Sequence, residues 1–570
     1  MKRKNGIAGA AVTILFFAFL SIAFDMLYCL NDDMMIQSIL SGTFSGKTSG
    51  MSVYLSMPLS TVLALLYGIV PQIPWLGVFF ALCYALCFFF VLYRNYEETE
   101  SVAQRILVTF FQILVFFAIF FAGYLLPHYT VVAALVGGCG IFLLITGASD
   151  NKGKNIKNYM PGILLLWLCY LIRTKVFLLL LPFLAIAGLV MLLHREKKER
   201  IDFLKKLALP VALFALGILL FFGINYAAYH LGDWAVYTGY NDARTTLYDY
   251  VGIDTTEEMM DNYEAAGFSQ EEVRMYKSYN LLLEESNSHE AMEALASCKE
   301  AEKESVSARL YNALVTYKAR ALHQQEDMPY QYLALGLYGI ILLYVVLTKQ
   351  YRMCLPVILC GMARSLCWVY LIYAGRYPQR VTMSIFIMET FLLLAIWKVA
   401  AYKRSGKQMV HTALCAIAVL LFSWAAVYSV KDSLLQYENQ IAVNESEGIL
   451  YSYMREREDS FFLVDVYATV NYTEYAVREY DSAYENYLVL GGWLTESPLL
   501  FRKLQKEGYT SALQALWEGE NVYLVLKEGV SMTPEMLYER YPEEISRLEA
   551  VEHLTTEHGE FVIYQIATEE

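Results

Sequence analysis

The stretch VYLSMPLSTVLALLYGIV, Val53–Val70, is apolar enough to cross a bilayer, and the sidedness of all that follows turns on whether it does. If it spans, the basic loops after it fall outside. If it lies flat at the outer surface, they fall inside. On that second threading the inner side receives Lys2, Arg3, Lys4, Arg94, Arg105, Lys152, Lys154 and Lys157. It also receives Arg195, Lys197, Lys198, Arg200, Lys205, Lys206, Lys349, Arg352, Lys403, Arg404 and Lys407. Positive charge concentrated on one side is the rule for inner loops. Val53–Val70 is therefore expected to be an interfacial helix on the outer face, entered by Pro58 and closed by Pro71 and Pro74.

Working outward, eleven spans are expected, at about 7–28, 74–93, 106–125, 129–147, 159–173, 175–193, 207–228, 331–348, 353–374, 381–400 and 410–430. A chain of 570 residues that is 57% hydrophobic fits a multi-pass membrane protein and not a soluble enzyme of this size. The first run, Ile7–Phe24, follows Lys2-Arg3-Lys4 but precedes no small-residue cleavage site, so it reads as a retained anchor. Eight of the cysteines fall inside apolar helices, leaving no disulfide framework and no metal-type spacing. A net charge of −13 argues against nucleic acid as a partner.

The expected organisation is a transmembrane domain over 1–430 and an extracytoplasmic α/β domain over 431–570. The N-terminus is expected in the cytoplasm. Two polar pieces interrupt the first domain on the outer side: the loop 29–73, and the helix-patterned loop 229–330. Strand-like runs in the tail are Phe461–Val466, Tyr487–Leu490, Val522–Leu526 and Phe561–Ile566, with helical patterns at 497–507 and 533–548. Residues 431–458 read as a helix leading out of the membrane.

Asn31-Asp32-Asp33 lies just past the outer end of the first span. Two carboxylates there can take a proton from a hydroxyl nucleophile or share a divalent ion, Mg or Mn. The bland alternative is a cap for a helix beginning at Met34. Asp25, one heptad earlier, would sit deeper in the bundle if the helix continues.

Basic residues on the outer side break the charge trend. They are Arg173 and Lys175, in Leu171-Ile172-Arg173-Thr174-Lys175, and Arg376 and Arg380, in Gly375-Arg376-Tyr377-Pro378-Gln379-Arg380. Guanidinium groups bind phosphate bidentately, so a phosphate-bearing ligand would account for them. Snorkelling to headgroups and pairing with acidic loops would also do so. Arg364 and Glu389 lie mid-span in adjacent helices and are expected to pair, or Arg364 could line a lipid-phosphate cavity. His128 faces outward between spans three and four and has a pKa suited to proton transfer. Tyr240, Asn241 and Arg244 open the long outer loop among further aromatics, a composition that suits sugars and equally an interfacial belt.

Together these features resemble the GT-C superfamily of bacterial membrane glycosyltransferases, and more closely a group of bacterial multi-pass proteins labelled glucosyltransferase-like. The carrying residues are Asn31-Asp32-Asp33 with Ser41-Gly42, Leu66-Tyr67 through Pro74-Trp75, and Leu171-Ile172-Arg173. Further on they are Tyr240-Asn241, Arg244, Tyr248-Asp249-Tyr250, Arg364, Trp368, Gly375–Arg380, Gly491-Gly492-Trp493 and Ser497-Pro498. The resemblance implies a polyprenyl-phosphate-linked sugar as donor and a glycan or lipid acceptor. It implies a base or metal ligand at Asp32 or Asp33, and phosphate binding at Arg376 and Arg380. An inverting transfer at the outer face is the expectation. A lipid-linked-oligosaccharide flippase or other transporter is the alternative, and an envelope scaffold a third.

Overall fold

The computed structural model describes residues 2–149, 156–300, 305–322, 327–401, 408–478, 480–530, 532–542 and 548–566. The basic residues Lys152, Lys154, Lys403, Arg404 and Lys407 of the expected inner loops lie outside them.

Among the described residues, ten helices are long and apolar enough to cross a membrane. They are α1 (Lys2–Ala23), α4 (Trp75–Tyr96), α5 (Val102–Leu125), α6 (Tyr129–Ser149), α8 (Thr174–Leu193), α9 (Arg200–Tyr229), α12 (Tyr330–Leu347), α13 (Cys354–Tyr373), α14 (Gln379–Ala401) and α15 (Gln408–Arg455). Between them come α2 (Asn31–Ser41), α3 (Met57–Ile69), α7 (Met160–Ile172), α10 (Asp233–Thr245) and α11 (Val306–Leu322). This is the architecture of a multi-pass membrane protein. The apolar stretch of α6 is 94% buried and that of α14 is 89% buried, whereas that of α9 is 11% buried. The bundle is thus built around the packed pair α6 and α14, with α9 at its edge.

Three sequence expectations for the bundle and its first outer loop change. The span expected at 159–173 is the 13-residue helix α7, about 20 Å long by helical rise and shorter than a hydrocarbon core of about 30 Å. It stops because Arg173 is extended, with φ −155° and ψ 103°. The first helix ends at Ala23 rather than near residue 28. Residues 26–29 are instead drawn out between two neighbours. The Leu27 amide donates to the Leu125 carbonyl at 2.9 Å and that of Cys29 to Pro127 at 3.0 Å. On the other side Tyr28 donates to Glu474 at 3.0 Å, and Ala476 donates to Met26 at 2.7 Å. Asp25 consequently lies at the surface, paired with Arg478, and not inside the bundle. The third change is Asp32 and Asp33, which are not ahead of a helix starting at Met34 but inside the first turn of α2.

The apolar stretch at 53–70 forms α3, with proline in its first turn. It is tied to the end of α9, because the Val53 amide donates to the Tyr229 hydroxyl and the Met57 amide to Asn225 Oδ1, each at 2.8 Å.

Helix α15 is 48 residues long, so it runs about 72 Å and carries the chain from the bundle into the tail. There β1 (Phe461–Val464) pairs in parallel with β2 (Tyr487–Val489) and with β3 (Val522–Lys527). Strands β4 (Leu548–Thr556) and β5 (Gly559–Ile566) complete the order β2-β1-β3-β5-β4, antiparallel at that edge. Helices Pro498–Glu507, Ala512–Glu518 and Pro534–Arg540 flank the sheet. The expected helix 533–548 is cut to Pro534–Arg540, and β4 is new. An edge strand with most of its side chains exposed shows no buried alternation for a sequence reading to detect.

The tail is docked, not tethered. Lys527 and Glu447 form a buried ion pair between β3 and α15 at 2.5 Å. A Cβ on Gly77, in the first turn of α4, would fall 1.6 Å from the Ala476 carbonyl oxygen, so only glycine allows that approach. Buried Lys503 donates to the carbonyls of Phe44 and Glu485 at 2.9 and 2.6 Å, fastening the tail to the loop after α2.

Candidate functional site

Loops gather at two ends of the bundle. At one, Asn5 donates to the Tyr96 carbonyl, Arg105 to Asn5, and Lys398 to Asn95. At the other, α2, α3, His128, Arg173, α10 and the segment 246–300, Arg376 and the tail converge. Asp32 and Asp33 belong to this second end.

The two carboxylates have different surroundings. Asp32 is partly exposed; its Oδ1 accepts from the indole Nε1 of Trp493 at 2.9 Å. Its Oδ2 makes no hydrogen bond among the described residues. Asp33 is fully buried, which leaves it closed to a bulky acceptor. Asp33 Oδ1 accepts from the backbone amide of Tyr129, the first residue of α6, where the helix dipole favours negative charge. Asp33 Oδ2 has no hydrogen-bond partner and faces His128 Nε2, also unpartnered, across 4.0 Å.

The tautomer of His128 follows from its other nitrogen. Nδ1 lies 3.0 Å from the Thr130 amide, which can only donate, so Nδ1 is the acceptor and the proton of the neutral ring sits on Nε2, toward Asp33. Burial lowers the His128 pKa well below the ordinary histidine value, and Arg380 and Arg173 lower it further. Burial raises Asp32 above the usual carboxylate range, opposed by Arg380, the Trp493 hydrogen bond, Arg173 and Arg244. Asp33 is pushed well above that range by burial, opposed by the Tyr129 amide; the charge of Asp32 adds to the rise, while Arg380 and Arg173 counter it.

Three arginines therefore act on the carboxylates. Arg380, in the first turn of α14, makes no ion pair and no side-chain hydrogen bond among the described residues. Arg173 sits over the stacked rings of Tyr54 and Tyr129, 4.8 Å from each centroid. Arg244 is buried and bonds only neutral groups: Asn241 Oδ1 at 2.9 Å, the Tyr279 hydroxyl at 2.5 Å and Thr245 Oγ1 at 3.0 Å.

Of the remaining sequence candidates, Arg376 is taken up by Asp249 and the ring of Tyr250. Lys175 is exposed beside Arg173, Arg376, Asp249 and Asp242. Tyr240 is buried in the core of its own loop, its hydroxyl on Asn287 Oδ1 at 2.9 Å, and Asn241 serves Arg244. Arg364 is not at this site. It pairs with Glu389 at 3.5 Å within the bundle, the pairing expected from their depth.

Tyr54, Tyr129, Tyr279 and Trp493 are contributors that sequence reasoning did not place at the site. The one available signal was the pair Gly491-Gly492 before Trp493. A Cβ on Gly491 would fall 1.9 Å from the Tyr279 carbonyl oxygen, so that glycine marks a close approach.

A divalent ion would find Asp32 and Asp33 here but no third side-chain ligand. Among the described residues no three His, Cys, Asp or Glu side chains converge as a metal site. His128 Nε2 carries a proton and does not complete one. Comparison of the chain with protein-family models, with curated proteins and with solved structures found no match in any of the three.

Proposed function

We propose that the chain is a membrane glycosyltransferase that moves a sugar from a polyprenyl-phosphate donor to an envelope glycan or lipid acceptor. The observation that carries this reading is the environment of Asp32: a partly exposed carboxylate with one oxygen free of hydrogen bonds, acted on by three arginines that make no ion pair, among the described residues. A base that can reach a hydroxyl, beside unsatisfied positive charge, suits an acceptor and a phosphate leaving group in one place.

Asp32 Oδ2 takes the proton of the acceptor hydroxyl as that oxygen attacks the anomeric carbon. The carbon–oxygen bond to phosphate breaks, and its electron pair leaves on the phosphate. Arg380, Arg173 and Arg244 offset the charge that develops there. Asp33 and His128 lie behind Asp32 and hold its helix against the start of α6. Arg173 and Arg380 keep the phosphate-binding role expected from the sequence, Arg244 joins them, and Arg376 becomes a pairing residue at the rim.

Arg94, Arg105 and Arg195 lie at the end opposite the site, against Lys398, Asn5 and the Ala148 carbonyl, which supports a cytoplasmic placement of that end and an extracytoplasmic site and tail. The test is transfer by the purified protein in proteoliposomes, using a panel of short-chain polyprenyl-phosphate hexoses. It is paired with envelope glycan analysis of a strain carrying Asp32→Asn. Unchanged glycans at normal protein level would overturn the reading. Lipid-linked oligosaccharide crossing the bilayer without sugar transfer would favour the flippase alternative.

A further inference from the structure

We infer that Trp493 is a positioning residue of this site: its indole fixes one oxygen of Asp32 and leaves the other as the atom that receives the acceptor's proton. This rests on the glycosyltransferase reading above and adds to it the participation of the tail. Trp493 lies 461 residues from Asp32 in sequence, yet its Nε1 donates to Asp32 Oδ1 at 2.9 Å.

The indole is held independently of that contact. Its own carbonyl accepts from the Tyr237 hydroxyl of α10 at 2.5 Å. The Leu490 carbonyl, three residues earlier, accepts from the Leu282 amide at 2.9 Å. Gly491 brings the strand-like segment against the Tyr279 carbonyl, where no side chain fits. The Trp493 ring packs 4.7 Å from that of Tyr54, which is stacked on Tyr129 at 5.5 Å. Four separate pieces of the molecule thus aim a single N–H.

Indole nitrogen is a donor only and cannot accept. Its partner must accept, and the unprotonated oxygen of a carboxyl group is the better acceptor, so with Oδ1 held by Trp493 a proton arriving at Asp32 goes to Oδ2. The acceptor's O–H bond breaks to give Oδ2–H, and the freed electron pair forms the new bond to the anomeric carbon. Holding Oδ1 also restricts the carboxylate's rotation, which matters because a catalytic group misplaced by an ångström loses much of its effect.

The experiment has two arms. In the first, with no substrate present, the ¹⁵N-indole resonance of Trp493 is assigned in detergent-solubilised protein and followed in Asp32→Ala. The expected result is a shift of that resonance; an unmoved resonance overturns the contact. In the second, Trp493→Phe keeps a ring but loses the N–H. Its kcat is expected to fall about 10- to 100-fold, as for loss of one hydrogen bond to a charged group, with donor KM unchanged. Trp493→His, whose ring can donate, should recover part of the loss. An unchanged kcat in Trp493→Phe, or a fall matched by lost thermal stability with no recovery in Trp493→His, overturns the positioning role. Absence of sugar transfer by the wild-type protein would count against the glycosyltransferase reading itself, while the resonance still tests the contact.

Discussion

Two groups of charge in this molecule are assembled from the same residue types to different ends. In the middle of the bundle, Arg364 meets Glu389 one to one at 3.5 Å, Tyr338 donates its hydroxyl to Glu389 Oε2 at 3.1 Å, and Arg364 lies over the Phe386 ring. At the end of the bundle, Asp32 and Asp33 face Arg173, Arg244 and Arg380, and none of the three closes an ion pair with either. The first group is matched one to one in charge and buried, as charge far from water has to be, although Arg364 Nε and Glu389 Oε1 touch only as an ion pair and not as a hydrogen bond. The second also has buried atoms without hydrogen-bond partners, Asp33 Oδ2 and His128 Nε2, but differs in charge balance, with three arginines acting on two carboxylates. Charge left incomplete at the end of a bundle is a place for something else to complete it.

The sharpest way to break this contrast is Asp32→Asn. Transfer should fall about 10²- to 10⁴-fold, the usual value of a positioned base, with thermal unfolding in detergent unchanged. A drop in stability instead would make the rim cluster scaffold too. Next comes Glu389→Gln, which leaves Arg364 buried beside a neutral group. It should cost about 3–5 kcal/mol of stability, read from thermal or denaturant unfolding, whereas replacing both partners with apolar residues should cost far less. Lost transfer at wild-type stability would move this pair from scaffold to site.

Arg380→Gln should raise KM for a polyprenyl-phosphate donor about 10- to 100-fold, equivalent to the loss of one hydrogen bond to a charged group, with stability little changed. A purely structural Arg380 would do the reverse.

The smallest effect is at the junction of tail and bundle, where Glu474 sits beside Arg455 at 3.1 Å. Burial raises its pKa to about 7, opposed by Arg455. Since the folded value exceeds the ordinary glutamate value of about 4.3, the folded protein holds this proton more tightly than the unfolded chain. That contribution is complete below about pH 4 and is lost as the pH rises toward 7. Glu474→Gln should flatten the corresponding fall in stability by on the order of 1–2 kcal/mol, read as melting temperature against pH.

How much of this was legible beforehand depended on the range of the interaction. Apolar runs gave most spans, since hydrocarbon imposes length and composition locally. Depth alone paired Arg364 with Glu389, because two charges at one level of adjacent helices have few other options. Even α3 was readable as a helix, from the prolines that bound it. The break at Ala23 was not, because the hydrogen bonds that draw out residues 26–29 come from residues 125–127 and 474–476, far away in sequence.

The sequence by itself thus determined a membrane bundle with Asp32-Asp33 and Arg173, Arg376 and Arg380 assigned to one side of it. Local hydropathy and charge carry that information. Only the tertiary structure decided which carboxylate is open and which is buried, that Arg376 is spent on Asp249, and that Trp493 of the tail holds Asp32. Those outcomes rest on contacts hundreds of residues apart, and no periodicity or spacing along the chain encodes them.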